Sequence, residues 1–425
     1  MKKILSHSSF QIISNEIIFR LVGFVTSVYV ARIISVEGVG MIGIASSILI
    51  YGGLLSSPGF HIFGVRYLSQ NLNLEKEIFR KVTSLRILFS VAVSILILIV
   101  VNIFISNPTL KLICIISAVT VIPFIFQFEW YFQAKENFSV INISKLLYIL
   151  LQFILSIIFV KSFADLYFVP IILFASHSIL FLYQFINLKK EIFFGEIKSA
   201  KLNLKLILAE SFPIGFSGAL VQIILNLPIL FLGYFSTFEE TGFYTTAFRI
   251  ILTLLVVDRF FFLVIFPRVA KESLNNKFVL QAKLQSVFNL LFAYVLIISI
   301  LILFFGGTII NFIWGSNFAF TILPLSFLLL YFGATLYNSI LSGILISNGR
   351  QKFYAKTIYI YSFVTIFLIF TLTFYFGAVG SAFAISLGEI LTTFLFWKEI
   401  KKIMKLKLFS KINLRQDLKT LLAYF

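Results

Sequence analysis

The chain has 425 residues, of which 60% are hydrophobic, 17% aromatic and only 12% charged, with a formal net charge of +18. A soluble domain carries about 25% charged residues, so this surface is too short of charge to face water, and lipid must cover it. Composition therefore excludes a soluble globular protein. The basic excess becomes a question of where the cations lie, not a sign of nucleic-acid binding.

A hydrocarbon core about 30 Å thick takes roughly 20 apolar residues per helix. On that ruler the sequence predicts an all-α protein with twelve spans, at 11–34, 39–64, 82–106, 112–134, 140–160, 166–187, 206–235, 242–266, 286–312, 319–346, 354–376 and 379–397. The first contains Asn15, Glu16 and Arg20 and has no short, clean apolar run ending in small residues, so it reads as a retained span and not a cleaved signal. Pro58, Pro123, Pro213, Pro228 and Pro324 fall within spans, with Pro267 at an exit. Each removes a helical hydrogen bond, a cost that neighbouring helices in a bundle tolerate. In span seven, Pro213 and Pro228 serve either as a hinge or as a static kink.

The connections set the orientation. With the N-terminus inside, the segments 1–10, 65–81, 135–139, 188–205, 267–285, 347–356 and the tail from Lys398 hold 27 of the 35 basic residues, and the opposite connections hold only Lys111 and Lys161. Lysine and arginine mark cytoplasmic loops, so both termini are expected in the cytoplasm. No loop exceeds about 20 residues. The tail, 397–425, is basic with Ile400, Ile403, Met404, Leu406 and Leu408 interspersed. It fits a helix on the anionic lipid surface or a solvated anchor.

A weak internal repeat has a spacing of 202 residues. Glu37, Gly40, Ala45, Ile48, Phe60, Arg66, Leu72 and Asn73 match Glu239, Gly242, Ala247, Ile250, Phe262, Arg268, Leu274 and Asn275. In both copies Glu-x-x-Gly follows the first helix of a half and Arg follows the second. Parallel six-helix repeats with a site between them are a transporter architecture. The expected organisation is therefore an N-terminal lobe at 1–187, a linker at 188–205, a C-terminal lobe at 206–397 and a tail at 398–425, with a central cavity between two pseudo-symmetric lobes.

Catalytic and metal motifs do not develop. Gly38-Val39-Gly40-Met41-Ile42-Gly43 fits G-x-G-x-x-G by letter, but it joins two membrane helices instead of a strand and a helix. There is no P-loop, no H-E-x-x-H and no D-x-D pair. One cysteine, Cys114, and three scattered histidines, His7, His61 and His177, offer no metal ligand set. No cofactor is expected.

Charges inside spans are the sharpest signal, because each is expensive in lipid and marks a cavity or a partner. The cations are Arg20, Arg32, Arg86, Lys145, Arg249 and Arg259; the acids are Glu16, Glu129, Asp258 and Glu389, with Glu210 at a span start. Glu16 and Arg20, four residues apart, share a helix face. Arg86, Lys145 and Glu129 lie near an interface, where snorkelling explains them. Arg32 stands close enough to Glu37 to pair or snorkel. Arg249 and Arg259 lie about 80° apart around one helix and ~15 Å apart along it, so both line one face at two depths. Asp258 points about 180° from Arg249 and cannot be its partner within that helix. Stacked cations suit an anionic cargo, with the embedded acids as candidates for pairing or for coupling to protons, sodium or the membrane potential.

The run from Arg20 to Gln70, R-L-V-G-F-V-T-S-V-Y-V-A-R-I-I-S-V-E-G-V-G-M…S-P-G-F…G-V-R-Y-L-S-Q, resembles the opening of the Wzx polysaccharide flippases of the multidrug/oligosaccharidyl-lipid/polysaccharide exporter superfamily. The resemblance continues through Glu129-Trp130-Tyr131-Phe132-Gln133 with Glu136, Gly233-Tyr234, Gly242-Phe243-Tyr244, Ala247, Arg249, Pro267-Arg268 and Asn348-Gly349-Arg350-Gln351-Lys352. It carries over Arg32, Glu37, Gly40, Arg66, Glu129, Gln133, Arg249, Arg268 and Arg350. Ile34-Ser35-Val36 replaces the family's usual Leu-Gly-Pro before the outer Glu-Gly.

The resemblance implies two six-helix lobes and an undecaprenyl-diphosphate-linked oligosaccharide, an O-antigen or similar unit, moved from the inner to the outer leaflet of a bacterial inner membrane by alternating access. A polysaccharide polymerase and a chain-length regulator are the partners it implies. A drug antiporter of the same fold would favour an acidic cavity, against six embedded cations and four acids here. A membrane polymerase or glycosyltransferase would need a substantial outer loop.

Overall fold

The computed structural model of the chain describes residues 7–189, 192, 202–256, 277–402, 404 and 417. Among these, twelve helices and no strand occur: α1 (His7–Ser56), α2 (Phe60–Gln70), α3 (Glu75–Phe104), α4 (Pro108–Ile125), α5 (Glu129–Ala134), α6 (Phe138–Phe159), α7 (Phe168–Ile186), α8 (Leu204–Phe235), α9 (Phe238–Leu254), α10 (Lys277–Trp314), α11 (Ile322–Ser347) and α12 (Gln351–Ile400). Nine stretches among the described residues are long and apolar enough to cross a membrane. Large apolar side chains cover them, with Phe304, Phe312 and Phe363 exposed by 78%, 81% and 79%. That is a lipid-facing surface.

Two of the nine stretches hold two spans each. A 50-residue helix would run about 75 Å, more than twice a bilayer core, and both 50-residue helices are broken. In α1 the break is Ser35, at φ 63, ψ 177; in α12 it is Gly377, at φ 52, ψ −134. Counting both halves of α1 and α12, and adding the 17-residue α9, gives the twelve spans. Glycine takes such a φ without steric cost, whereas Ser35 is a side-chain-bearing residue held there by its surroundings.

The sequence repeat reappears at this level. A shift of 202 residues carries the break at Ser35 onto Thr237, which caps α9 by accepting from the Glu240 backbone N–H at 3.1 Å. Beyond both breaks Gly40 and Gly242 are buried, as are Ala45 and Ala247.

Two spans that hydropathy reads as continuous contain interruptions. Span two stops at Ser56, turns through Pro58 and Gly59, and resumes as α2. Span four stops at Ile125, two residues after Pro123, and resumes as the short α5.

The chain divides into two compact units, Met1–Asn226 and Leu227–Phe425, and the division falls inside α8. In the first unit, backbone meets backbone where the α1–α2 joint touches α8. A Cβ on Gly59 would overlap the Ser211 carbonyl oxygen, and one on Gly215 would overlap Pro58. Tyr51 donates from its hydroxyl to the Ile223 carbonyl at 2.8 Å, and Arg66 pairs with Glu210. Phe60, Phe63, Phe79, Phe128 and Trp130 form the aromatic core at one end of this unit, together with Ile192, Leu202 and Ile207.

In the second unit α11 is buried along most of its length and packs on α12. Ser386 donates to the Phe327 carbonyl at 2.9 Å, and a Cβ on Gly388 would overlap Thr365 Oγ1. In the tail, Asp417 is buried and accepts from Asn289 Nδ2 of α10 at 3.2 Å.

Candidate functional site

The interruption between α4 and α5 builds a polar cluster inside the first unit. With the helix ended at Ile125, the Gln127 carbonyl is free of helical bonding and accepts from Arg86 Nη1 of α3 at 2.9 Å. The Gln127 side-chain amide reaches His177 Nδ1 of α7 at 2.8 Å. One residue on, the Phe128 N–H donates to Gln184 Oε1 at 2.6 Å, and Gln184 Nε2 donates to Ser144 Oγ of α6 at 3.1 Å. Helices α3, α6 and α7 are thus tied through the one break between α4 and α5.

The charges gather beside it. Lys145 Nζ of α6 pairs with Glu129 Oε1 of α5 at 2.7 Å. His61 of α2 lies beside Gln133 and within electrostatic reach of Arg86, Glu129 and Lys145. Arg86 does not snorkel. It is 7% exposed, and its Nε makes no hydrogen bond among the described residues. Lys145 and Glu129 satisfy each other, so the cluster carries one cation beyond its ion pair. A guanidinium with one N–H committed to a carbonyl and another uncommitted keeps part of its fork for an oxyanion.

The remaining candidates in this unit lie on α1. Arg20 is half-buried and Arg32 is exposed, three residues before the break at Ser35. The Glu16 side chain lies outside what is described.

In the second unit Arg249 is half-buried on α9, next to the buried Ala247, Phe248 and Ile251. One turn away stand Thr245, Thr246, Leu252 and Thr253, and Thr253 donates to the Arg249 carbonyl at 2.9 Å. Among the described residues no carboxylate lies within 4.0 Å of its guanidinium. Asp258 and Arg259, about two and a half to three turns further on by sequence, lie outside the described residues, as does Arg268. Glu389 sits elsewhere in this unit, in the second half of α12. It takes Asn338 Nδ2 of α11 on its carboxylate at 2.6 Å and on its own carbonyl at 3.0 Å. Tyr361, of the first half of α12, lies against the same carboxylate.

Of the residues carried over from family likeness, Arg350 meets Glu399 at 3.4 Å and Arg66 meets Glu210. Both are brackets between helices. The residues that sequence reasoning missed are neutral: Gln127, His177, Gln184, Asn338 and Tyr361. A polar residue inside an apolar span is the available signal, and the absence of a metal-ligand set around His61 and His177 does not bear on the hydrogen bond that His177 makes with Gln127.

Residues 2–273 match the model of a family described as polysaccharide biosynthesis protein. The fold is similar to that of a multidrug resistance MATE family transporter of the MOP superfamily in an inward-facing conformation, with TM-score 0.68 and 12% identity over 90% of this chain and 94% of that one. It is also similar to the lipid II flippase MurJ in an inward closed conformation, with TM-score 0.71 and 15% identity over 96% and 90%. A MOP superfamily transporter from Pyrococcus furiosus, described as having a binding pocket of reversed polarity, matches with TM-score 0.53 and 13% identity over 92% of each chain. At these identities the likeness establishes the fold. No curated protein sequence matches the chain.

Proposed function

Because the chain belongs to the polysaccharide biosynthesis protein family, we propose that it is a flippase for a polyprenyl-diphosphate-linked oligosaccharide, an O-antigen or similar repeat unit, moved from the inner to the outer leaflet of a bacterial inner membrane. The family and the fold are those of multi-span membrane transporters, and the proposal adds the cargo and the alternating-access cycle. The observation that carries it is Arg249, a cation in a span with no carboxylate beside it among the described residues. Such a charge costs at least ~2.5 kcal/mol on insertion scales. An anionic diphosphate head offsets that cost when it binds, whereas a cationic drug would add to it. Arg86, Arg20 and Arg32 extend the cationic set, and Arg259 belongs to it by sequence. The polyprenyl tail stays in lipid while the head moves, and a polymerase with its chain-length regulator takes up the delivered units.

Deleting the gene is expected to abolish surface polymer and to make the unpolymerised lipid-linked unit accumulate several-fold. Extraction and quantification of that lipid test this. Normal polymer in the deletion strain would remove the proposal.

Both termini are placed in the cytoplasm on the 27-to-2 distribution of basic residues between the two sets of loops. Cysteines introduced at Lys198 and at Glu239 should label oppositely with an impermeant maleimide, only Glu239→Cys reacting in intact cells. Labelling of Lys198→Cys from outside would reverse the orientation.

A further inference from the structure

We propose that Glu240 is the positioning residue for Arg249: its carboxylate clasps α12 at the break and so sets the side to which α9 presents the guanidinium. The first observation is where that carboxylate goes. Thr237-x-x-Glu240 has the pattern of a capping box, and Thr237 accepts from the Glu240 N–H at 3.1 Å. In such a box the glutamate turns back to the N–H of the capping residue. Glu240 Oε2 instead accepts from the Ala378 N–H at 2.8 Å. Ala378 follows the break at Gly377, so its N–H is among those that the start of a helical segment leaves without an internal partner. Gly377 makes the room, because a Cβ there would stand 2.8 Å from Glu240 Oε2.

The second observation is what lies opposite. Glu240 and Arg249 are nine residues apart, so they point about 180° from each other around α9 and stand ~13 Å apart along it. With Glu240 turned to α12, Arg249 falls on the far side of the helix, where its neighbours Leu252 and Thr253 are exposed. Thr241, Tyr244, Ala247 and Ile251 are buried between the two ends. At the other end Tyr294 of α10 donates to the Leu254 carbonyl at 3.1 Å. Helix α9 is thus tied at its start to α12 and at its end to α10, and the clasp fixes its rotation.

The third observation is the repeat. The shift of 202 residues places Gly38 where Glu240 stands and Ser47 where Arg249 stands, so the first copy has neither the clasp nor the cation. The connection between α6 and α7, the counterpart of the break in α12, is capped from within. There Asp165 Oδ2 accepts from the Lys161 and Ser162 N–H groups at 3.0 and 2.9 Å. Clasp and cation occur together, in the second copy. The clasp depends on reach and an acceptor oxygen, and a charge is not required for it. Glutamine keeps an oxygen at the same distance, whereas aspartate keeps the charge and falls one methylene short. A role in holding charge or a proton would rank the two the other way.

The clasp stands on this geometry, and its consequence for transport rests on the flippase reading above. The test uses the purified full-length protein in nanodiscs, with Cys114→Ser and Arg249→Cys, and follows modification of the new thiol by an anionic methanethiosulfonate. Adding Glu240→Ala or Glu240→Asp should change that rate several-fold, and adding Glu240→Gln should leave it nearly as it was. In protein that keeps Arg249, Glu240→Ala and Glu240→Asp should each lower lipid translocation about tenfold, the loss of one charge-assisted hydrogen bond. Glu240→Gln should retain most of it. Melting identifies folded samples, and Glu240→Asp carries the test if Glu240→Ala does not fold. An unchanged thiol rate in folded Glu240→Asp, or active Glu240→Asp beside inactive Glu240→Gln, overturns the clasp. Thiol rates do not depend on cargo, so the two ideas separate. Wild-type protein that moves no lipid defeats the flippase reading alone, and lipid movement with an unchanged thiol rate defeats the positioning role alone.

Discussion

Arg249→Glu is expected to abolish polysaccharide export while the protein remains in the membrane at normal abundance. The residue is half-buried on α9, its one-turn neighbours are Thr245, Thr246, Leu252 and Thr253, and no described carboxylate pairs with it. Losing a charge-assisted bidentate contact to a diphosphate removes about 1.5–3 kcal/mol of binding, a factor of roughly ten to a hundred. Reversing the charge adds repulsion to that loss. Arg249→Ala should therefore fall below the level that complements a deletion strain. Arg249→Lys should remain partly active, since it keeps the charge and loses the fork. Membrane abundance and surface polymer must be measured together for all three. Normal export by Arg249→Glu would remove Arg249 from the cargo path, and loss of protein in every variant would make it a structural cation.

Gly59→Ala is expected to produce the largest stability loss of any single methyl added to the first unit. Gly59 has φ 79, a left-handed conformation that costs an ordinary residue about 1–2 kcal/mol. The added Cβ would also overlap the Ser211 carbonyl oxygen, a backbone atom that cannot swing aside. Either the α1–α2 joint or α8 must then shift, which disturbs the Tyr51 bond to Ile223 and the Arg66–Glu210 pair on the same seam. Gly218→Ala on the same α8 is the matched control, because nothing stands within 4 Å of its position. Melting of the detergent-purified proteins should show Gly59→Ala well below wild type and Gly218→Ala within a few degrees of it. Equal melting of all three would show that the seam does not hold the unit together.

The spans were legible because lipid demands long apolar runs, and the two breaks inside α1 and α12 fell where the hydropathy ruler placed span ends. The repeat was legible as well: Glu37 with Gly40 and Glu239 with Gly242 each follow a helix break at equivalent positions. The interruptions within spans two and four were not. Ser57-Pro58-Gly59 and Gln127 are polar breaks too short to interrupt a 20-residue apolar run, and Pro58 and Pro123 read as kinks within spans, so the hydropathy ruler does not separate α2 and α5 from the helices before them. The polar cluster was partly legible. Arg86, Glu129 and Lys145 stood out as charges in lipid, but their partners depend on contacts far apart in sequence, such as Arg86 to Gln127 and Gln127 to His177, 41 and 50 residues apart. Neutral groups such as Asn338 and Tyr361 carry no charge to mark them, and their importance arises only from what they face.

The most direct test of the flippase reading is translocation by the purified protein. Proteoliposomes carrying a fluorescent polyprenyl-diphosphate oligosaccharide on one leaflet, with and without the protein, should be assayed by an impermeant quencher or lectin. The account predicts that the labelled head becomes protected or exposed within minutes only when the wild-type protein is present, and that Arg249→Glu behaves as empty vesicles do. Head-group movement at the same slow rate with and without the wild-type protein, under a sodium gradient, a proton gradient or an imposed potential, would contradict it.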